Sequence, residues 1–262
     1  MEHLTIVAAY FNQPEIFEEW WRVLLSYPDE LVAKIKLRLV DDHSERAPLG
    51  IPATILKRFD VQAFVVEDDI VCGQTGARNL AMKHAEGWCF VTDPDYILYP
   101  DAAQKLLGKM SLASGRDRWM GELERRNYYH PRSKLYGTGK EQHRAENMAV
   151  VHADDFWSVG GYNEDFAGGY GYGDGLLFRA MKEYGKMRDV FIQDVWMTHY
   201  QKGVVEKSDG TRITDAASPI VRSTVRNKPI FKRMNSDILT KGWKRLLRDR
   251  KPPIRFKWRR FA

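Results

Sequence analysis

An open, mostly parallel α/β sheet with helices on its faces is the fold class that this sequence predicts, on three observations. Residues 4–11 (LTIVAAYF) form an almost unbroken apolar run of strand length, as in a parallel strand covered on both faces. Strand-like and helix-like segments then alternate at the spacing of β-α units. Three of the strand-like runs end in acids, at Asp41-Asp42, Asp68-Asp69 and Asp93. In such a sheet ligands sit beyond the carboxyl ends of the strands, so these acids stand where a site is expected. Carboxylates gathered at one edge repel one another, and a bound cation or a set of hydrogen bonds relieves that repulsion.

After the first strand, Asn12 offers an N-cap and Pro14 suits the first turn of a helix that turns Phe17, Trp20, Trp21, Leu24 and Leu25 inward. Residues 36–42 (KLRLVDD) and 61–69 (VQAFVVEDD) read as the second and third strands. Gly73 and Gly76 introduce a helix with Ala77, Leu80, Ala81 and His84 on one face, and residues 88–92 (WCFVT) run as a strand into Asp93. A helix through Leu106, Leu107 and Met110 follows, and the polar stretch up to Arg144 carries no assignable pattern. Asp154 or Asp155 can cap a short helix ended by Gly160 and Gly161. A Gly/Tyr loop over 168–173 leads to Asp174 and a helix with Leu176, Leu177, Ala180, Met181 and Tyr184 inward. Residues 189–199 then form a strand that ends at His199. The predicted organisation is a domain over 1–203, in which the motifs described below, through the family they resemble, imply a nucleotide-binding part in 1–100 and an acceptor and catalytic part in 145–203, and a basic extension over 204–262.

The composition, 44% hydrophobic and 29% charged, is that of a globular protein rather than a disordered or collagen-like chain. Cys72 and Cys89 form neither a metal-spaced set nor a disulfide framework. With no secretory signal and no apolar stretch of membrane-spanning length, the expected location is cytoplasmic, including the host cytoplasm for a viral protein, or peripheral at a membrane. Residues 241–262 carry ten Lys or Arg against Asp249 alone, a net +9 in a chain of net +6, so the remainder is net −3. The basic character belongs to the tail.

Asp93-Pro94-Asp95 places two hard oxygen ligands directly after an apolar strand, which suits Mn²⁺ or Mg²⁺ bridged to a diphosphate; an Asp-Pro turn is the competing reading. The ordered set VDDHS (40–44), GARNLAMKHA (76–85), FVTDPD (90–95), VGGYNEDF (159–166), GGYGYGDGLLFRA (168–180) and the late His199 resembles the motif series of GT-A glycosyltransferases, family 2 and its galactosyltransferase-like relatives. The resemblance covers roughly residues 4–200. It implies a GT-A, Rossmann-like fold, a nucleotide-sugar donor, UDP-linked by preference, and inversion at the anomeric carbon.

By that resemblance Tyr10, Asp41, Asp42, Arg78 and Asp93 contact the nucleotide sugar, although a strand-terminal turn is an equal account of one of the two acids at 41–42. Asp95 is the firmer metal ligand, with Asp93 beside it and His199 as the further ligand of the galactosyltransferase-like branch. Asp174 is the expected general base, and it also suits the N-cap of the helix that follows. The chain departs from the family here, because the usual Glu-Asp run is reduced to Gly173-Asp174-Gly175. Trp157, Tyr170 and Tyr172 are the expected acceptor platform, with core packing as the alternative for Trp157.

In the extension, residues 208–220 read as a loop able to order over bound donor. Residues 241–262 begin as a short amphipathic helix, break at Pro252-Pro253, and alternate Ile254, Phe256 and Trp258 with Arg255, Lys257 and Arg259 in a strand-like manner. A solvated or edge-strand tail, an anchor on an anionic membrane and a DNA contact are its three readings. A glycan or lipid-linked glycan is the expected acceptor, and a modified base in DNA is the alternative. A non-catalytic carbohydrate or nucleic-acid binding protein is the reading from another class. A nucleotidyltransferase fits less well, since AAYFNQP stands where a Gly-rich phosphate loop is required.

Overall fold

Four short parallel strands form the centre of the molecule, with the most apolar run, β1, in the middle. β1 (Leu4–Tyr10) is buried along its whole length. It lies between β2 (Ile35–Asp41) and β4 (Trp88–Thr92), parallel to both, with Leu4 level with Ile35 and with Trp88. β3 (Asp60–Val66) continues the sheet beyond β2. Between them run α1 (Pro14–Leu25), α2 (Asp29–Val32), α3 (Ala53–Arg58) and α4 (Gln74–Lys83). The structure is a computed structural model that describes residues 3–71, 73–112, 118–127, 143–144, 147–199, 205–206, 212–213 and 224–262.

The second half adds β5 (Tyr96–Ile97), α5 (Pro100–Leu112), β6 (Trp119–Asn127), β7 (His143–Arg144), β8 (Ala149–His152), α6 (Ala153–Ser158), a 3-10 turn at Glu164–Phe166, α7 (Gly173–Glu183) and β9 (Arg188–His199). β10 (Val205–Glu206) and β11 (Arg212–Ile213) pair with each other. α8 (Asn227–Lys241), α9 (Trp243–Arg248) and β12 (Trp258–Arg260) complete the chain. The main sheet runs β12-β3-β2-β1-β4-β8-β6-β9-β5, with β7 beside β6. It is a mixed sheet with a parallel core, because β8 and β12 join antiparallel. One face is covered by Phe17, Trp20 and Trp21 of α1 with Leu106 and Met110 of α5, and the other by Leu80 and Ala81 of α4 with Leu177 and Met181 of α7.

Several local expectations are corrected. Gln13, not Asn12, precedes α1, and Asn12 takes a left-handed φ of 47° while its Oδ1 accepts from the amides of Arg46 and Ala47. Leu25 and Tyr184 are exposed rather than inward. His152, whose Nδ1 accepts from the Asp154 amide, caps α6 in place of either Asp. β6 lies in the stretch that carried no pattern, and α8 occupies residues read only as basic. The loop expected over 208–220 lies outside the described residues apart from 212–213.

The extension returns to the sheet. β12 pairs with β3, Trp258 level with Val66, and the Trp258 ring meets Phe64 and His84 edge-on. Phe256 packs over Gly76 so closely that a Cβ there would come within 2.5 Å of its ring. Of the three readings of the tail, the edge strand is the one observed over residues 258–260. Among the described residues no helix is long and apolar enough to cross a membrane.

Candidate functional site

The site forms where β1, β2 and β4 end and where α4 and α7 begin. The two helix starts abut, since a Cβ on Gly173 would stand 2.8 Å from Thr75 Cγ2. Both present their positive ends to the acids gathered there. The Asp93–Asp95 turn is fixed from below by α1, whose Trp20 Nε1 donates to the Pro94 carbonyl at 2.7 Å.

Arg78 organises the centre. It is 1% exposed, and its Nη1 donates to Asp174 Oδ1 at 2.7 Å and to the Tyr162 hydroxyl at 3.1 Å, while Nη2 donates to Asp93 Oδ1. The Tyr162 hydroxyl in turn donates to Asp174 Oδ1 at 3.0 Å. Burial alone would weaken the charge on this guanidinium, but Tyr162, Asp93 and Asp174 around it hold its pKa above the ordinary value. Burial likewise keeps the Tyr162 phenol protonated against the pull of Arg78. One cation thereby ties the first acid of the Asp-Pro-Asp motif to the acid at the start of α7, although 81 residues separate them in the chain.

Asp93 also accepts from Gln74 Nε2 and Asn147 Nδ2, so donors surround its carboxylate. Asp95 follows at the turn into β5. Tyr96 is level with His199 across the β5-β9 pair, which sets His199 one register position from Asp95. Among the described residues no group of three or more His, Cys, Asp or Glu converges. A metal here would complete its shell with diphosphate oxygens and water. Asp93 is held by Arg78, and the Asp95 carboxylate is the hard oxygen of the motif that would suit such an ion.

At the end of β2 the two acids separate in role. Both oxygens of Asp41 accept backbone amides, from Ser44 at 2.8 Å and Leu49 at 2.7 Å, so Asp41 builds the strand-terminal turn rather than facing a nucleoside. Asp42 is buried against Gly73, and burial with Asp41 alongside pushes its pKa up to about 7, opposed by His43 and by a hydrogen bond from the Gly73 backbone. Tyr10 is a correction: it is 1% exposed, packs edge-on against Phe17, and its hydroxyl donates to the Ala47 carbonyl, supporting the same turn from beneath.

The expected acceptor platform does not assemble as one surface. Trp157 packs edge-on against Phe156 and donates from Nε1 to the Met82 carbonyl at 3.3 Å, near the far end of α4, so core packing accounts for it. Tyr172 stacks on Phe231 of α8 with centroids 4.8 Å apart. Tyr170 alone of the three is exposed on the loop. Asp174 is not the N-cap of α7. Tyr172 holds that position with φ 69° and no side-chain cap, and Asp174 stands in the first turn with its side chain 31% exposed.

Sequence reasoning passed over Tyr162, Gln74, Asn147, Asn79 and Glu164. Asn79 grips the 160–166 segment, accepting from the Tyr162 amide at 2.9 Å and donating to the Tyr162 carbonyl at 3.0 Å and to Glu164 Oε1 at 2.8 Å. Glu164 then accepts the amides of Ile254 at 2.6 Å and Arg255 at 3.2 Å. The acid of the NED motif therefore fastens the C-terminal extension. Tyr162 and Glu164 stood inside a recognised motif, which was the only signal available for them.

No protein-family pattern and no curated sequence matches the chain. Solved structures do resemble it. Residues 1–349 of S. aureus TarS in complex with UDP-GlcNAc superpose with a TM-score of 0.62 at 12% identity, covering 91% of this chain and 67% of that one. S. aureus TarS matches at 0.60 and 13%, over 91% of this chain and 40% of that one. Mannosyltransferase PcManGT from Pyrobaculum calidifontis, in complex with GDP-Man and Mn²⁺, matches at 0.52 and 15%, over 96% and 66%. Against a further TarS 1–349 structure the match spans 60% of that chain's length. The chain has the fold of these GT-A-type glycosyltransferases.

Proposed function

We propose that the protein is a metal-dependent, inverting glycosyltransferase that moves a sugar from a nucleotide diphosphate, UDP-linked by preference, to an acceptor hydroxyl on a glycan or lipid-linked glycan. The observation that carries this reading is the Arg78 bridge, which holds a candidate base and the Asp-Pro-Asp turn in one hydrogen-bonded cluster at the carboxyl edge of the sheet. Asp174 accepts the proton of the acceptor hydroxyl as that oxygen attacks the anomeric carbon, on the face opposite the bond to the nucleotide. That bond breaks with its electrons, leaving a nucleoside diphosphate. A divalent cation on Asp95 and His199 would neutralise the charge gathering on the leaving phosphate. Arg78 holds Asp174 in place through its Nη1, and Asp42 with the turn built by Asp41 borders the nucleoside end.

The basic extension favours a second reading, in which the acceptor is a polyanion such as DNA bearing a modified base. The resemblance to enzymes bound to UDP-GlcNAc and GDP-Man supports the donor class in either case. Release of free nucleotide from UDP-glucose, UDP-galactose, UDP-GlcNAc and GDP-mannose, with and without MnCl₂, tests the proposal. Asp174→Asn is expected to lower kcat by about 10²–10⁴-fold with nucleotide affinity retained. Asp95→Ala is expected to abolish the response to Mn²⁺. Absence of metal-dependent turnover with every donor, or full activity in both variants, defeats the reading.

A further inference from the structure

The loop that delivers Asp174 is conformationally costly. Gly168, Gly171 and Tyr172 all have left-handed φ, at 94°, 84° and 69°. The glycines adopt this freely, but Tyr172 does not, and a non-glycine residue in that region persists only where its surroundings impose it. α7 also begins without a side-chain cap, so it does not hold its own entry.

The restraint comes from α8. Asn227 is 0% exposed, and its Nδ2 donates to the carbonyls of Phe166 at 2.9 Å and Gly171 at 3.2 Å, which brackets the loop at both ends. Its Oδ1 accepts from Arg226 Nη1 at 2.9 Å, and Arg226 reaches the Asp165 carbonyl at 3.0 Å. The side-chain amide fills the space beside Gly169, where a Cβ would stand 2.9 Å from Oδ1. Four residues on, Phe231 stacks on Tyr172. A buried amide that meets both ends of a strained loop does more than fill a core position.

We infer that Asn227 is a positioning residue for the transfer step, and that its two donor bonds, rather than the general packing of α8, set the geometry of the loop that carries Asp174. Asn227 touches neither donor nor acceptor. It holds the Gly171 carbonyl and so fixes the left-handed step from which Asp174 enters α7. This inference rests on the reading of Asp174 as base, but the restraint on the loop is a claim about this chain alone.

Two variants test it on the full-length protein. Asn227→Asp keeps the size of the side chain and its acceptor for Arg226 while removing both donors. Met234→Ala weakens the packing of α8 beneath the same region without touching either carbonyl. Asn227→Asp is expected to raise amide hydrogen exchange over 167–173 by tenfold or more and leave β1 and β4 unchanged. With the nucleotide sugar that turns over in the presence of MnCl₂, its kcat falls at least tenfold while KM for the donor stays within twofold. Met234→Ala lowers the melting temperature at least as much yet keeps kcat within twofold. Equal loss of kcat in the two variants overturns the inference, as does unchanged exchange over 167–173. Wild-type protein inert toward all donors defeats the glycosyltransferase reading, and the exchange measurement then still decides whether Asn227 holds the loop.

Discussion

Asp42 shows how one side chain couples the site to pH. Its folded-state pKa of about 7 lies above the ordinary carboxylate value of about 3.9 because burial, and then Asp41, disfavour the charge. Between these values the native state binds the proton and the unfolded chain does not. Stability from this group is therefore full below about pH 4, declines as pH rises, and levels off above 7. Asp42→Asn removes the penalty while keeping an oxygen for the Gly73 amide. The variant should melt several degrees above wild type at pH 8 and within about a degree of it at pH 3.5, by differential scanning calorimetry. Equal melting temperatures at pH 8 would show that Asp42 is not a buried acid. The residues of the central cluster were partly legible beforehand: Asp93, Arg78 and Asp174 each stand in a motif, and their junction agrees with that pattern. Gln74, Asn147 and Tyr162 were not, because their role arises only where segments up to 84 residues apart meet.

Among elements, legibility followed burial. β1 and β4 are almost wholly apolar and so announce themselves, and β2 keeps one apolar face, whereas β6 (WMGELERRN) mixes charge with apolar residues and takes its place by pairing with β8 and β9. α8 is amphipathic only weakly, with Met234 and Ile238 buried, and its contacts with the loop before α7 define it more than its own pattern. The alternation in the tail was readable as strand, but its partner was not, since an edge strand can pair anywhere an edge is open. Glu164 is what seats the tail. Replacing it with Ala leaves the Asn79 amide and the Ile254 amide without their acceptor, at a cost of about 2–3 kcal/mol. Urea unfolding should show that loss, and hydrogen exchange over 254–260 should accelerate together with it. A variant within 0.5 kcal/mol of wild type would mean that water replaces the carboxylate and that Trp258 and Phe256 suffice to hold the tail.

For the whole molecule, charge is segregated more sharply than the net +6 suggests. Residues 224–262 carry fourteen Lys or Arg against Asp237 and Asp249. This strip is not a loose appendage, because β12 is hydrogen-bonded to β3, the Lys257 amide donates to Asp68 Oδ2 at 2.8 Å beside the carboxyl end of that strand, and α8 holds the loop of Asp174. The cations are therefore presented on ordered elements, with Lys228, Lys232, Lys244, Lys251 and Lys257 all exposed. A polyanion lying along the strip releases counterions in proportion to the phosphates it contacts. Five such contacts predict a loss of roughly several hundredfold in affinity for duplex DNA between 50 and 200 mM salt. Fluorescence anisotropy with a labelled duplex measures this, and Lys→Glu changes at 228, 232 and 244 should flatten the slope. Transfer to a neutral sugar should depend far less on the same salt, since that acceptor carries no phosphate to lie along the strip. Should the strip bind no DNA at 50 mM salt while a neutral sugar supports turnover that salt barely changes, the DNA acceptor is excluded and the glycan acceptor stands.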